Sequence, residues 1–202
     1  IDITDNWTFL KNGKRFVMTS EEDGYNHIYL CSMDGDKKKQ LTDGDWDVTE
    51  VYGFDGKEVY FQAAKNSSIE RQIYAVNLNG KMRTLINKVG TNHATFSSNY
   101  KYLINVNSSV DQPRQYVLFD NKGKQVRVLE DNHEFVERMK EYNMAKKEFV
   151  TITDPAFVLP DGTQLEMMTW RILPPDFDST KQYPVLIYVY GGPGHQTVNN
   201  AW

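Results

Sequence analysis

Through the first two thirds of the chain, apolar residues fall in short runs separated by polar turns, and the runs recur on a fixed beat. Asn12-Gly-Lys-Arg-Phe-Val-Met, Asp55-Gly-Lys-Glu-Val-Tyr-Phe and Asn99-Tyr-Lys-Tyr-Leu-Ile-Asn are turn-plus-strand units whose first residues lie 43 and 44 positions apart. A second element keeps the same phase: His27-Ile-Tyr-Leu-Cys-Ser-Met-Asp-Gly35, Gln72-Ile-Tyr-Ala-Val-Asn-Leu-Asn-Gly80 and Gln115-Tyr-Val-Leu-Phe-Asp-Asn-Lys-Gly123, with glycines 45 and 43 positions apart. Each runs on into a further short strand, Lys39-Gln-Leu-Thr, Met82-Arg-Thr-Leu-Ile and Gln125-Val-Arg-Val-Leu. Apolar runs joined by Asp-Gly or Asn-Gly turns are hairpins. Units of three or four strands at this period are the mark of β-propeller blades. The alternative is a β-sandwich with evenly spaced hairpins; two markers in phase favour the propeller. Because propellers need about four to eight blades to close, three imply a piece of something larger, truncated at both ends.

After the third unit the pattern changes. In Asp131–Met144, Phe135, Met139 and Tyr142 recur on one helical face, and Asp131 with Glu134 resembles a capping box. A short linking helix is predicted here. Glu148-Phe-Val-Thr-Ile-Thr and Glu166-Met-Met-Thr-Trp-Arg-Ile-Leu flank the turn Leu159-Pro-Asp-Gly-Thr and predict a hairpin. The apolar run Tyr183-Pro-Val-Leu-Ile-Tyr-Val-Tyr190 then meets Gly-Gly-Pro-Gly194, which reads as a central strand of an α/β sheet entering a glycine-rich turn. The expected class is mainly β: residues 1–131 as about three propeller blades, and 132–202 as a linking helix followed by the first strands of a truncated α/β domain.

Reacting groups in α/β sheets sit just past the carboxyl ends of strands. A phenol there, beside glycines that admit a close backbone approach, can donate a hydrogen bond to a developing oxyanion. Tyr190 is therefore the candidate catalytic residue.

Composition narrows the partners. With 23 Lys and Arg against 27 Asp and Glu the formal charge is −4, and no basic stripe runs along the sequence, so nucleic acid is not an expected partner. Cys31 is the single cysteine, which leaves no disulfide framework and no Cys-x-x-Cys metal motif. No apolar run reaches membrane-spanning length. No cofactor and no metal are called for. Asn-x-Ser/Thr triplets at Asn6, Asn66 and Asn107 carry little weight, since they arise often by chance in such a sequence.

Glu21-Glu-Asp-Gly-Tyr-Asn-His-Ile28, Val126-Arg-Val-Leu-Glu-Asp-Asn132, Ile172-Leu-Pro-Pro-Asp-Phe-Asp178 and Tyr183-Pro-Val-Leu-Ile-Tyr-Val-Tyr-Gly-Gly-Pro193 resemble the dipeptidyl peptidase IV branch of the prolyl oligopeptidase family. The resemblance implies an eight-bladed propeller packed on an α/β-hydrolase domain, this chain supplying the last blades and the first hydrolase strands. It implies a serine exopeptidase that removes X-Pro or X-Ala dipeptides from peptides with a free N-terminus, and a homodimer is compatible with it. The periplasm or cell envelope would be the compartment in a bacterium, the extracellular space in a eukaryote. In that family a tyrosine of the strand-end motif donates its hydroxyl to the tetrahedral intermediate, and Tyr190 occupies that place. No Gly-x-Ser-x-Gly elbow occurs in the sequence, so by itself this chain, lacking the Ser-Asp-His triad, is expected to be inactive. Two alternatives stay open: a catalytically silent relative that binds peptides or proteins, and a related aminoacyl or oligopeptidase.

Other chemistry-bearing residues read as structural. Glu21 and Glu22 match a blade-loop motif and read as solvated turn carboxylates, not as the paired glutamates with which the family holds a substrate ammonium. His27 and Cys31 are only two potential ligands on one strand and do not make a zinc site. His93, His133 and His195 are placed in loops or at the helix start. Lys37–Lys39 reads as a solvated turn.

Overall fold

The computed structural model describes residues 6–11, 13–192 and 195–202. Asn12, which opens the first repeat, and Pro193-Gly194 of the glycine-rich turn lie outside the described residues. The chain separates into two compact units, Ile1–Asp131 with Asn200–Trp202, and Asn132–Asn199.

In the first unit twelve strands form three four-stranded antiparallel sheets, each a meander in sequence order. The first blade holds β1 (Thr8–Phe9), β2 (Arg15–Ser20), β3 (His27–Ser32) and β4 (Lys38–Gln40). The second holds β5 (Val48–Phe54), β6 (Glu58–Ala63), β7 (Gln72–Asn77) and β8 (Met82–Ile86). The third holds β9 (Thr91–Phe96), β10 (Tyr102–Ser109), β11 (Gln112–Asp120) and β12 (Gln125–Glu130). This is part of a β-propeller, and the three repeated sequence elements are the second, third and fourth strands of each blade.

Blade stacking explains the hydrophobic pattern. Successive side chains of a strand point to opposite faces of its sheet. In the second blade Val59, Phe61, Ala63, Tyr74 and Val76 pack toward Val17, Ile28, Leu30 and Leu41 of the first. Tyr60, Ile73 and Ala75 point the other way and pack with Ala94, Leu103, Val117 and Phe119 of the third. Strands β6 and β7 are therefore buried on both faces and read as continuous apolar runs, whereas β10 alternates between exposed and buried positions along most of its length.

The repeated turn has a local cause. Between the third and fourth strands of each blade a glycine amide donates to the carbonyl three residues earlier: Gly35 to Ser32 at 3.1 Å, Gly80 to Asn77 at 2.9 Å, Gly123 to Asp120 at 3.0 Å. The side chain opening the turn accepts the following amides, Asn77 from Asn79 and Lys81 and Asp120 from Lys122 and Lys124, while Ser32 Oγ accepts from Lys37. Asx and Ser turns of this kind replace the backbone partners that a chain reversal removes.

The first strands of neighbouring blades approach one another. β5 touches β9, and Arg71, just before β7, forms a parallel bridge with Thr91. A bulge in β5 places Gly53 at φ 132° directly beside Tyr100, whose hydroxyl donates 3.3 Å to the Tyr52 carbonyl. The Tyr100 ring stacks on Tyr60 at 5.6 Å. The first strands fall outside the sequence repeat, in the spaces between its hairpins.

The second unit begins with α1 (His133–Met139). The predicted helix is present but short, and the expected capping box does not form: Asn132, not Asp131, is the N-cap, in the left-handed region at φ 56° and without a side-chain cap bond. Asn tolerates that conformation. Tyr142 lies past the helix end, and no helix residue is buried. The predicted hairpin is β13 (Lys147–Val158) paired with β14 (Gln164–Ile172), turning at Leu159, whose amide donates 2.7 Å to the Thr163 carbonyl. Residues 183–190, by contrast, form no strand in this structure. Their sequence is apolar enough, but a strand exists only through pairing, and no described segment pairs with them. Leu186 is 95% exposed as a result. Among the described residues no helix is long and apolar enough to cross a membrane.

Candidate active site

Tyr190 is delivered by a loop with its own internal order. After Pro174-Pro175, the Asp178 carboxylate accepts from the Thr180 amide at 3.0 Å and the Thr180 hydroxyl at 2.7 Å, and these bonds, the hydroxyl's first, hold its pKa below the ordinary carboxylate value. The Asp178 amide in turn donates 3.1 Å to the Tyr183 hydroxyl, and the Phe177 and Tyr183 rings lie 5.2 Å apart. The chain thus enters the apolar run 183–190 from a fixed turn.

At its far end the Tyr190 ring lies edge-on to His195, centroids 4.6 Å apart and planes at 66°. It also folds back over Gly192: a Cβ there would stand 2.7 Å from Tyr190 Cε1 and 2.9 Å from its hydroxyl. The sequence predicts that glycine here admits a close approach, and the approaching group is the candidate side chain itself. At 57% exposure Tyr190 is open to a reacting carbonyl. A phenol so presented can donate one strong hydrogen bond to an oxyanion.

Other singled-out residues fall elsewhere. Glu22 pairs with Lys38 in an exposed ion pair, and the Gly24 amide donates to the Glu21 carbonyl, so both glutamates belong to a solvated turn. Lys38 also sits 4.6 Å over the Tyr29 ring, and Lys39 reaches the Leu78 carbonyl of the next blade at 3.3 Å, which gives the lysine run contacts that charge alone did not predict. His27 is fully buried, with Nδ1 3.1 Å from the Thr42 hydroxyl and Nε2 2.9 Å from the Gly44 carbonyl. The Gly44 carbonyl can only accept, which places a ring proton on Nε2, and the Thr42 hydroxyl, which accepts from the Ile28 amide at 2.9 Å, can turn its own proton toward Nδ1. His93 is not in a loop: it lies on β9, 3.1 Å from the Glu50 carboxylate and edge-on to the Tyr52 ring. Asn107 is buried and donates to the Val89 carbonyl at 3.0 Å, which engages its side-chain nitrogen.

One pair was not legible in the sequence. The Asn200 side chain donates 2.8 Å to the Glu70 carboxylate across 130 residues. No local pattern announces a contact of that span.

Three stacked four-stranded meanders define a β-propeller protein. Residues 1–114 match the family described as the dipeptidyl peptidase IV (DPP IV) N-terminal region. The chain belongs to the dipeptidyl peptidase IV family. It is 36% identical over 199 residues to dipeptidyl peptidase 4 of Arthroderma otae, covering 95% of this chain and 25% of that protein. The dipeptidyl peptidase 4 of Trichophyton rubrum matches at the same identity and coverage. The crystal structure of Porphyromonas gingivalis dipeptidyl peptidase 4 superposes with a TM-score of 0.86 at 40% identity, covering 96% of this chain and 27% of that one. The chain spans about a quarter of the length of these relatives.

Proposed function

We propose that the protein containing this chain is a serine-type dipeptidyl peptidase that removes X-Pro or X-Ala dipeptides from peptides with a free N-terminus, and that Tyr190 stabilises the oxyanion. The observation that carries the activity is identity of 36% to 40% with dipeptidyl peptidases over nearly the whole chain. On this reading residues 1–131 are the last propeller blades, and 132–202 lead from a linking helix into the first strands of an α/β-hydrolase domain. The exposure of Val185 to Val189 supports the second assignment, because so apolar a run is stable only when other strands cover it. Short peptides are the partners, and a homodimer is the assembly.

Tyr190 would work as a preorganised donor. As the scissile carbonyl becomes tetrahedral its oxygen gains charge, and a phenol already aimed at that position stabilises the charge more than it stabilises the neutral carbonyl. The nucleophile and its base come from residues outside this sequence.

The test is release of the chromophore from a Gly-Pro substrate by the full-length protein, with the α-amine free or acetylated. A dipeptidyl peptidase cleaves the first and not the second. Cleavage of both would favour an oligopeptidase, and cleavage of neither a peptide-binding relative.

A further inference from the structure

Two residues of its own loop meet the ring of Tyr190, and both follow it in the sequence. Gly192 lies under the ring and has no side chain to hold it. His195 stands edge-on to it, centroids 4.6 Å apart and planes at 66°. Aromatic pairs tilted in this way and about 4.5 to 7 Å apart attract one another beyond the area they bury, because the positive edge of one ring meets the negative face of the other. Among the described residues the Tyr190 hydroxyl has no hydrogen-bond partner, so no polar contact fixes where it stands. The side chain is exposed, so close packing does not fix it either. His195 is exposed as well, and neither nitrogen of its imidazole has a partner among the described residues.

A phenol so placed is held by its ring alone. Rotation of the side chain to another staggered position carries the hydroxyl several ångströms away. An oxyanion donor contributes only when it stands at hydrogen-bond distance from where the charge develops. We propose that His195 is a positioning residue for Tyr190: through the edge-to-face contact its ring keeps the phenol lying back over Gly192, and so holds the hydroxyl in one of its available positions before substrate arrives. This rests on the reading of Tyr190 as the oxyanion donor. Glycine at 192 leaves the space, and histidine at 195 supplies the attraction. The role asks for a flat ring at position 195 and not for an imidazole nitrogen, which separates it from a direct contact between His195 and substrate.

That distinction supplies the test. His195→Phe keeps a ring and deletes both nitrogens. His195→Asn keeps a polar side chain without the ring, and His195→Ala removes both. Position 195 is exposed, so the fold should tolerate all three, with thermal midpoints within about 2 °C of wild type. Loss of one edge-to-face pair shifts an equilibrium between side-chain positions by about three- to tenfold.

Steady-state hydrolysis of a Gly-Pro chromogenic substrate by the full-length protein is measured for wild type, H195A, H195N and H195F, and for Y190F with and without H195A. H195A and H195N are each expected to lower kcat about three- to tenfold with KM within about twofold, since the hydrogen bond they weaken forms only as charge develops. H195F is expected to keep kcat within about twofold of wild type, and H195A to add little once Tyr190 is Phe. H195A activity equal to wild type, or a loss of equal factor with and without Y190F, would overturn the proposal. So would an active H195N beside an impaired H195F, which would assign the role to an imidazole nitrogen. If H195A fails to fold, H195N in the same two backgrounds is read by the same criteria. An inactive wild type, or Y190F as active as wild type, would remove the underlying function reading itself and is distinguishable from all of those results, because it involves no change at position 195.

Discussion

Gly192 lies under the ring of Tyr190, where a Cβ would meet Cε1 at 2.7 Å and Cζ at 3.0 Å. Gly192 has an ordinary backbone angle, so alanine is allowed there, and the group that must give way is an exposed ring. Gly192→Ala is therefore expected to displace Tyr190 and leave the fold intact. Activity of the full-length protein on a Gly-Pro substrate should fall about tenfold or more, with the thermal midpoint within about 2 °C of wild type.

Gly53 poses the opposite case. Its φ is 132°, and a Cβ would overlap the hydroxyl of Tyr100, part of the Tyr60–Tyr100 stack between the second and third blades. Gly53→Ala combines a disfavoured backbone conformation with displacement of a packed ring, and should cost about 2 to 4 kcal/mol. Gly56 has a φ of 103° with nothing within 4 Å. Gly56→Ala should cost only about 1 kcal/mol. Denaturant unfolding of the two variants in the full-length protein separates steric from conformational cost.

The Thr42 hydroxyl serves two buried partners at once, accepting from the Ile28 amide and facing His27 Nδ1. Thr42→Val keeps the shape and strands both, so a loss of about 2 to 4 kcal/mol is expected. Thr42→Ser keeps the hydroxyl and should lose about 1 kcal/mol or less. Chemical denaturation checks the difference; equal losses in the two variants would point to the methyl group as the source.

Burial lifts the phenol of Tyr74 to about 12 from an ordinary value of 10.0. The folded state thus holds the phenolic proton more tightly than the unfolded chain does. The stabilisation this represents is complete below about pH 10, and it is lost as the pH rises toward about 12. The thermal midpoint of wild type should fall across that window more steeply than that of Tyr74→Phe. The difference between the two proteins should be constant from about pH 7 to 9, and a parallel fall above about pH 10 would assign the alkaline loss to other groups.

How legible the protein was in its sequence depends on where each element gets its order. The second, third and fourth strands of each blade carry their own turn chemistry, as at Asn77-Leu-Asn-Gly80, and so could be phased by eye. β5 and β9 end in such turns, at Asp55-Gly56 and Ser97–Lys101, but do not start from one, and with Thr49-Glu50 and Thr91-Asn-His93 in them they do not read as apolar runs. The hairpin β13–β14 was legible because Pro160-Asp-Gly162 marks its reversal. The strand expected over 183–190 is missing for the complementary reason: its hydrophobicity belongs to one segment, but pairing is a property of two. Tyr190 could be nominated from its motif. The fold of its ring over Gly192, its contact with His195 and the Glu70–Asn200 bond depend on turn geometry and on a span of 130 residues that no local pattern encodes.

The role of Tyr190 is tested most directly by hydrolysis of a Gly-Pro chromogenic dipeptide by the full-length protein, wild type against Tyr190→Phe. Removing one oxyanion donor costs about 10² to 10³ in turnover, and a loss of that size with folding intact is the predicted result. Equal turnover in the two proteins would contradict the account and take Tyr190 out of the mechanism.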